Sequence, residues 1–591
     1  MIIERLQALR QEMAKRNIAI YVVPTADFHE SEYVGVHFKA REFITGFTGS
    51  AGTAVTTMTE AGLWTDGRYF VQAGQQLEGT TVTLYKMGEE SVPTVNEYIE
   101  QTLQEGEILG FDGRVINGAW GKKLQEIVAK KHGSMAVEED LIDAIWTDRP
   151  ALSKKPVNIL DLAYTGKSTK EKLSDVRKVM AEKKADIHLL TSLYDIAWLL
   201  NMRGNDIDHV PVVLSYLALT QEECIWFVQE EVITEEVKIY LEDKEIITKP
   251  YNSFYDYVKE IQQNQENLTI LLNTSVVNYR ICNSILESTT IIDEIEPTVY
   301  MKAQKNETEI ENTKNAHIKD AVAMCKFMYW LKTNVGKIAM TELSVSDYLE
   351  QLRKDEGCVA LSFNTICGYA EHGAIVHYSA TEESSVEIKP EGLLLVDSGG
   401  HYLEGTTDIT RTFALGAVTE EMKSDFTRVC RSNMNLANAK FLYGCSGMNL
   451  DVLARQPLWE VNMDYKHGTG HGVGHILNVH EGPNGFHWGR KAYQHPLEAG
   501  MITTDEPGIY KEGKYGIRLE NELVCRKGEK NEYGQFMYFE NITYVPIDLD
   551  ALDPTQMTAT EKKYLNEYHK NVYNTIAPLL TEEEAEWLKV Y

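Results

Sequence analysis

Four carboxylates stand where the surrounding chain reads as buried strand, and any fold for this sequence has to accommodate them. In LLLVDSGG, Asp397 ends an apolar strand, and in EGTTDITRTF, Asp408 lies in a threonine-rich strand eleven positions later. Glu506 in MITTDEPGIY stands before a Pro-Gly turn. Glu520 in YGIRLENELV points away from Ile517, Leu519 and Asn521, because strand side chains alternate between faces. Taken singly, each reads as an ordinary turn or surface acid. Strands joined through Gly399 and Gly400 would bring Asp397 and Asp408 together, and burying such groups unpaired is prohibitively costly.

The stretch HGTGHGVGH, His467 to His475, holds three histidines and four glycines in nine residues. In an extended backbone its histidines share one face, and the glycines permit close backbone approach. One histidine from this run beside the four acids makes a five-ligand set, whose negative charge two divalent cations would neutralise. Oxygen-rich ligation with one imidazole favours Mn²⁺, with Zn²⁺, Co²⁺ and Fe²⁺ also compatible. Two such ions can share a water, lower its pKa and hold a carbonyl for attack.

The chain has 591 residues, enough for three or four domains. LRQEMAKRNIAIYVV at Leu9 and VRKVMAEKKADIHLL at Val176 each predict an amphipathic helix followed by an apolar strand, 167 positions apart. Each is followed by an aspartate (Asp27, Asp195) and a turn with glycine (Gly46, Gly204). Breakers at Asp148-Arg149-Pro150, Lys155-Pro156 and Glu296-Pro297 set expected domains at 1–155, 156–300 and 301–591. A long helix with Ile310, Ala316, Ala321, Met324, Phe327 and Met328 on one face opens the last domain, and a charged helical extension ends it. With 88 acidic and 58 basic residues, the net charge is −30, which argues against nucleic acid and anionic membranes as partners. No stretch reaches the roughly 18 apolar residues of a membrane span, and the N-terminus lacks a secretory pattern. Eight scattered cysteines without a Cys-x-x-Cys pair predict reduced thiols in the cytoplasm.

In chain order, AIVHY, LLLVDSGG, GTTDITRTF, HGTGHGVGH, NVHEGP, DEPGIY and GIRLENE resemble the metallopeptidase family with the pita-bread fold. That family includes methionine aminopeptidase, prolidase and Xaa-Pro aminopeptidase. FHESEY, REFITGFTGSAGTA, LWTDGRYF and LYDIAWLLNMRGNDID resemble its long, three-domain, cytosolic Xaa-Pro aminopeptidase type. The resemblance implies an α/β and α+β multidomain chain, with two similar creatinase-N-like α/β domains before a pita-bread catalytic domain. It implies that Asp397, Asp408, His471, Glu506 and Glu520 hold two metal ions, usually Mn²⁺, with Asp408 and Glu520 spanning both. Glu506 is implied to relay a proton from the bridging water. His377 is implied to hold the substrate and stabilise the oxyanion, and His467 and His480 to contact the substrate near the scissile bond. Arg518 is implied to orient ligating carboxylates, and Arg68 to reach the substrate, the plainer alternative being an ion pair with Asp66.

The implied activity is release of the N-terminal residue from short peptides with proline second, by attack of a metal-bridging hydroxide, in a homodimer. A bond to proline nitrogen has no amide hydrogen, and a dinuclear site needs none. Prolidase and a catalytically silent binding protein on the same fold are the alternatives. His475 stands where this type carries a small residue, and it reads as structural or solvated. Glu371 and His372 also depart from the pattern, and no chemistry is assigned to them.

Overall fold

The computed structural model describes residues 1–265, 267–489 and 491–591. The chain forms two compact units, one of 1–160 with 167–298 and the other of 161–166 with 299–591.

The first unit contains the same architecture twice. In the helix Ile2–Lys15, Leu6, Leu9 and Met13 are buried, and in the helix Thr169–Lys183, Leu173, Val176 and Met180 are buried. Each pair of equivalents is 167 residues apart, so the repeated spacing is the spacing of the core-facing stripe. Each helix feeds a strand, Ile18–Pro24 or Ile187–Leu190, within a six-stranded sheet. Ile18–Pro24 pairs antiparallel with Thr53–Thr57 and parallel with Ile108–Phe111. Ile187–Leu190 pairs antiparallel with Ser215–Thr220 and parallel with Thr269–Leu272. Both faces of the first sheet are covered. Tyr21 and Val23 join the core built on the first helix, while Ile20 and Val22 enter a second core with Trp64, Leu109 and Phe111. The alternation slips between Ile18 and Ile20, where two steps on one strand meet one on the other.

The aspartates that follow the two strands are not equivalent. Asp27 Oδ1 accepts the backbone N–H groups of His29 and Ser31 in a loop, whereas Asp195 lies in the first turn of the helix Leu193–Leu200.

The second unit is organised around the helix Glu307–Asn334, started by an Asn306–Glu309 capping box. The expected Ile310, Ala316, Ala321, Met324, Phe327 and Met328 are all wholly buried. A three-stranded antiparallel sheet has Leu393–Ser398 between Ile366–Tyr369 and Ile409–Ala414. A six-stranded sheet runs Lys440–Leu442, Gly534–Asn541, Asn521–Asn531, Ile502–Asp505, Gly470–Gly472, Glu481–Phe486. The extension forms the helices Ala559–Ile576 and Glu582–Leu588. All eight cysteines are free thiols, and among the described residues no helix is long and apolar enough to cross a membrane.

Candidate metal centre

Backbone pairing alone gathers most of the acids. Asp397 stands opposite Thr410 across the Leu393–Ser398 and Ile409–Ala414 pair. The link between these strands is longer than a Gly-Gly turn. It makes its own small hairpin of Gly400–Tyr402 with Gly405–Thr406, and Asp408 lies just beyond it. Glu520 is not inside a strand as its alternation suggested. It lies between Tyr515–Arg518 and Asn521–Asn531, and its N–H reaches across to the Thr410 carbonyl at 3.0 Å. That cross-sheet bond takes the place of a ladder partner, so the chain changes sheets at Glu520.

The histidine run docks on the other side. Glu506 N–H donates to the Thr469 carbonyl at 2.7 Å, and His471 N–H donates to Thr504 Oγ1 at 3.1 Å. Only Gly470–Gly472 is strand, and the flanking histidines make separate contacts, His467 with Tyr510 and His475 with Thr313. A Cβ on Gly470 would lie 1.8 Å from the Thr504 carbonyl oxygen, and one on Gly472 2.1 Å from that of Glu481. Glycine lets the neighbouring strands approach this closely.

The ligand atoms of Asp408, His471 and Glu520 all fall within 4.8 Å of one another. His471 Nδ1 meets the Gly472 carbonyl at 2.9 Å and so carries the proton, leaving Nε2 directed at Asp408 Oδ2 (3.4 Å) and Glu506 Oε1 (3.7 Å). Asp397 Oδ2 accepts from Arg518 Nη2 at 2.6 Å and Nε at 3.2 Å. Thr410 Oγ1 donates to Glu520 Oε2 at 2.7 Å while Arg518 Nε lies 3.3 Å from it. Asp397 Oδ1 and Glu520 Oε1 are buried and have no hydrogen-bond partner. Two unpaired oxygens among clustered carboxylates, facing an imidazole nitrogen with a free lone pair, fit cation ligands better than any hydrogen-bonding role.

Electrostatics agree. Burial, with Asp408 and Glu506 nearby, pushes Glu520 well above the usual carboxylate range. Burial likewise raises Glu506 to about 7, against the opposing pull of His471 and Arg518. Burial alone would lower His471, but the Asp408 and Glu506 carboxylates overcome it and raise the imidazole. Burial thus disfavours the charged form of Glu520 and Glu506, and divalent ions would offset that cost.

The other expected residues are placed as follows. His467 Nδ1 meets the Gly468 carbonyl at 2.7 Å, so its Nε2 accepts from Tyr510 OH at 2.8 Å. Burial, with Arg518 and Arg455 nearby, lowers His467 to about 3, keeping the ring neutral. Tyr510 OH in turn accepts from Arg518 Nη1 at 2.8 Å. The His480 ring stands edge-on to His471 with centroids 4.3 Å apart. His377 follows Val376, whose carbonyl accepts from Arg518 Nη2 at 3.3 Å. Arg68 lies in the first unit, where Nε and Nη2 each donate to Asp66 at 2.8 Å. His475 is buried, its ring set between Thr313 Oγ1 (3.2 Å) and the Tyr164 carbonyl (3.0 Å). Thr410 and Tyr510 were not anticipated. Their only sequence signal is adjacency, two residues after Asp408 and four after Glu506.

The chain matches four family models in order. Residues 5–144 and 148–309 each match the creatinase/prolidase N-terminal domain, 311–527 metallopeptidase family M24, and 535–591 the C-terminal region of peptidase M24. It is 38% identical over 606 residues to a probable Xaa-Pro aminopeptidase P of Paracoccidioides brasiliensis (strain Pb03), covering 99% of this chain and 98% of that protein. It is 38% identical over 584 residues to a probable Xaa-Pro aminopeptidase P of Aspergillus niger, covering 96% and 95%. The crystal structure of an X-prolyl aminopeptidase from Caenorhabditis elegans, described as a cytosolic enzyme with a di-nuclear active site, superposes with a TM-score of 0.94 at 33% identity, covering 100% of this chain and 98% of that one.

Proposed function

The chain belongs to the Xaa-Pro aminopeptidase P group of metallopeptidase family M24, and we propose from that premise that it frees the N-terminal residue of short peptides whose second residue is proline. It is a metal-dependent aminopeptidase. The convergence of Asp408, His471 and Glu520 ligand atoms within 4.8 Å carries the reading. We assign two divalent ions, Mn²⁺ by preference because the donors are four carboxylates and one imidazole, to Asp397, Asp408, His471, Glu506 and Glu520. When bound, such a pair supplies an acidified water and polarises the scissile carbonyl.

The protein's own groups do the rest. Glu506 is assigned to take a proton from that water and return it to the departing proline nitrogen. His377 is assigned to the substrate carbonyl, and His467 and His480 to the peptide beside the scissile bond. Arg518 pairs with Asp397 Oδ2, which would leave Oδ1 to hold a metal ion. Arg68 is assigned to substrate binding, with Asp66 holding its guanidinium oriented. Domains of 1–155, 156–300 and 301–591 and a cytoplasmic setting complete the reading. A homodimer is proposed as well. Trp459 and Trp488, exposed with rings 6.4 Å apart, are the apolar pair offered for that contact.

The test is to strip the protein of metal, restore it with Mn²⁺, and compare an Xaa-Pro-Yaa tripeptide with the Xaa-Pro dipeptide by product identification. Metal-dependent release of Xaa from the tripeptide is expected. Strong preference for the dipeptide would make the protein a prolidase, and activity indifferent to metal would refute the dinuclear assignment.

A further inference from the structure

The residues leading to His377 hold a buried ionic cluster that the metal chemistry does not use. Glu342 is the first residue of the helix Glu342–Asp355 and is wholly buried. Acids at this position of a helix usually face solvent near the positive end of the dipole. Glu342 is instead turned inward, onto the segment around His377. Its Oε1 accepts from the Tyr369 N–H at 2.8 Å and meets His372 Nδ1 at 2.9 Å. Its Oε2 accepts from Tyr378 OH at 2.9 Å and from the Val386 N–H at 3.2 Å. The His372 and Tyr378 rings lie 4.5 Å apart, so the two donors also support each other.

One carboxylate therefore collects donors from before, within and after the segment 370–377. The opposite side is tied to the metal centre. Arg518 Nη2 donates both to the Val376 carbonyl and to the ligand Asp397. His377 is bracketed, with its preceding residue bound by Arg518 and its following residue bound by Glu342. The segment also touches the strand that carries Arg518, backbone against backbone. A Cβ on Gly516 would lie 1.7 Å from the Gly373 carbonyl oxygen. A buried carboxylate is a costly way to close a helix onto a core, and its return is a single loop geometry.

We propose that Glu342, acting through His372 and Tyr378, is a positioning residue that sets the His377 imidazole against the substrate carbonyl. The proposal rests on the reading that His377 engages the substrate. It gives a role to His372, which with Glu371 and His475 departs from the pattern of the resembled type.

A double-mutant cycle on the Mn²⁺-loaded enzyme tests it. His372→Ala, Tyr378→Phe and Glu342→Gln are each made in the native and His377→Ala backgrounds, and kcat, KM and Mn²⁺ affinity are measured with an Xaa-Pro-Yaa tripeptide. In the native background, His372→Ala and Glu342→Gln should lower kcat by roughly 10- to 100-fold, with KM and Mn²⁺ affinity little changed. Tyr378→Phe should cost less, and His372→Asn, which keeps a side-chain donor, should recover most of the loss. In the His377→Ala background the same changes should have no further effect. Additive losses in that background, losses traced to weaker metal binding, or full activity in His372→Ala would overturn the positioning role alone. Full activity in His377→Ala would overturn the role and the reading beneath it. Should Glu342→Gln fail to fold, the partly exposed His372 and the Tyr378→Phe change still decide the question.

Discussion

Thr410 shows how much of the centre is set by groups that hold no metal. Its hydroxyl donates to Glu520 Oε2 and leaves Oε1 unpaired, so on the proposed assignment it would select the oxygen that Glu520 offers to a metal ion. Thr410→Val keeps the shape and deletes the donor. It should weaken Mn²⁺ binding by roughly 10- to 100-fold, measured by metal titration of the stripped protein; unchanged affinity would show that Glu520 needs no such orientation. Asp397→Ala is a harsher change, because it removes a proposed ligand and deprives the buried Arg518 of its carboxylate partner. Turnover should vanish while the circular dichroism of the N-terminal unit persists, and retained turnover would remove Asp397 from the site. Singly, each of the four acids reads as an ordinary turn or surface group; they were legible as a set, through their order along the chain with the histidine run between them. Thr410 and Tyr510 were not, since threonine and tyrosine are normal strand residues and their roles arise only from cross-strand register.

At the scale of elements, close approach and register decide the site. Gly470 has no room for a side chain because the Thr504 carbonyl oxygen, a backbone atom that cannot rotate aside, occupies the space. Gly470→Ala should part the strands, destabilise the second unit by about 1–3 kcal/mol and lower turnover at least tenfold through the displaced His471; a native melting curve and native activity together would contradict this. The repeated helix-and-strand pair was readable because its apolar spacing is local. The sheet change at Glu520 and the hairpin before Asp408 were not, because bonds to distant strands create them. The helix Ala559–Ile576 carries a pH response of its own. His569 Nε2 accepts the Ile547 N–H at 3.0 Å and its Nδ1 meets the Tyr591 carbonyl at 3.0 Å, so both nitrogens are committed in the neutral ring. Burial lowers His569 to about 4 from an ordinary 6.5. The unfolded chain binds that proton first, so the contribution is fully present above pH 6.5 and is lost as pH falls toward 4, about 3 kcal/mol at most. His569→Gln should flatten the fall in melting temperature between pH 7 and 4.5, and an unaltered slope would place the acid sensitivity elsewhere.

For the whole molecule, the path of the chain matters as much as its two cores. Residues 161–166 precede most of the second repeat in sequence but belong to the catalytic unit. There the Tyr164 carbonyl accepts from His475 Nε2 at 3.0 Å, the Thr165 carbonyl from Asn306 Nδ2 at 2.9 Å, and the Ala163 carbonyl from Asn312 Nδ2 at 2.8 Å. His475, four residues beyond the ligand His471, thereby anchors the glycine-rich run at a point where the backbone turns through a positive φ of 51° at Ile476. A fragment of residues 299–591 contains every proposed metal ligand yet lacks these three acceptors. Deprived of them, His475, Asn306 and Asn312 lose bonds worth about 1 kcal/mol each, and the loss falls on the start of the central helix and on the ligand loop. The fragment should therefore unfold at lower denaturant than the same unit in the full chain and bind Mn²⁺ more weakly. His475→Ala in the intact protein should reproduce a part of both effects, because it removes one of the three bonds without cutting the chain. Equal stability and equal metal affinity in fragment and full chain would mean that the six-residue segment is merely carried by the catalytic unit, and that His475 is dispensable to the loop it holds.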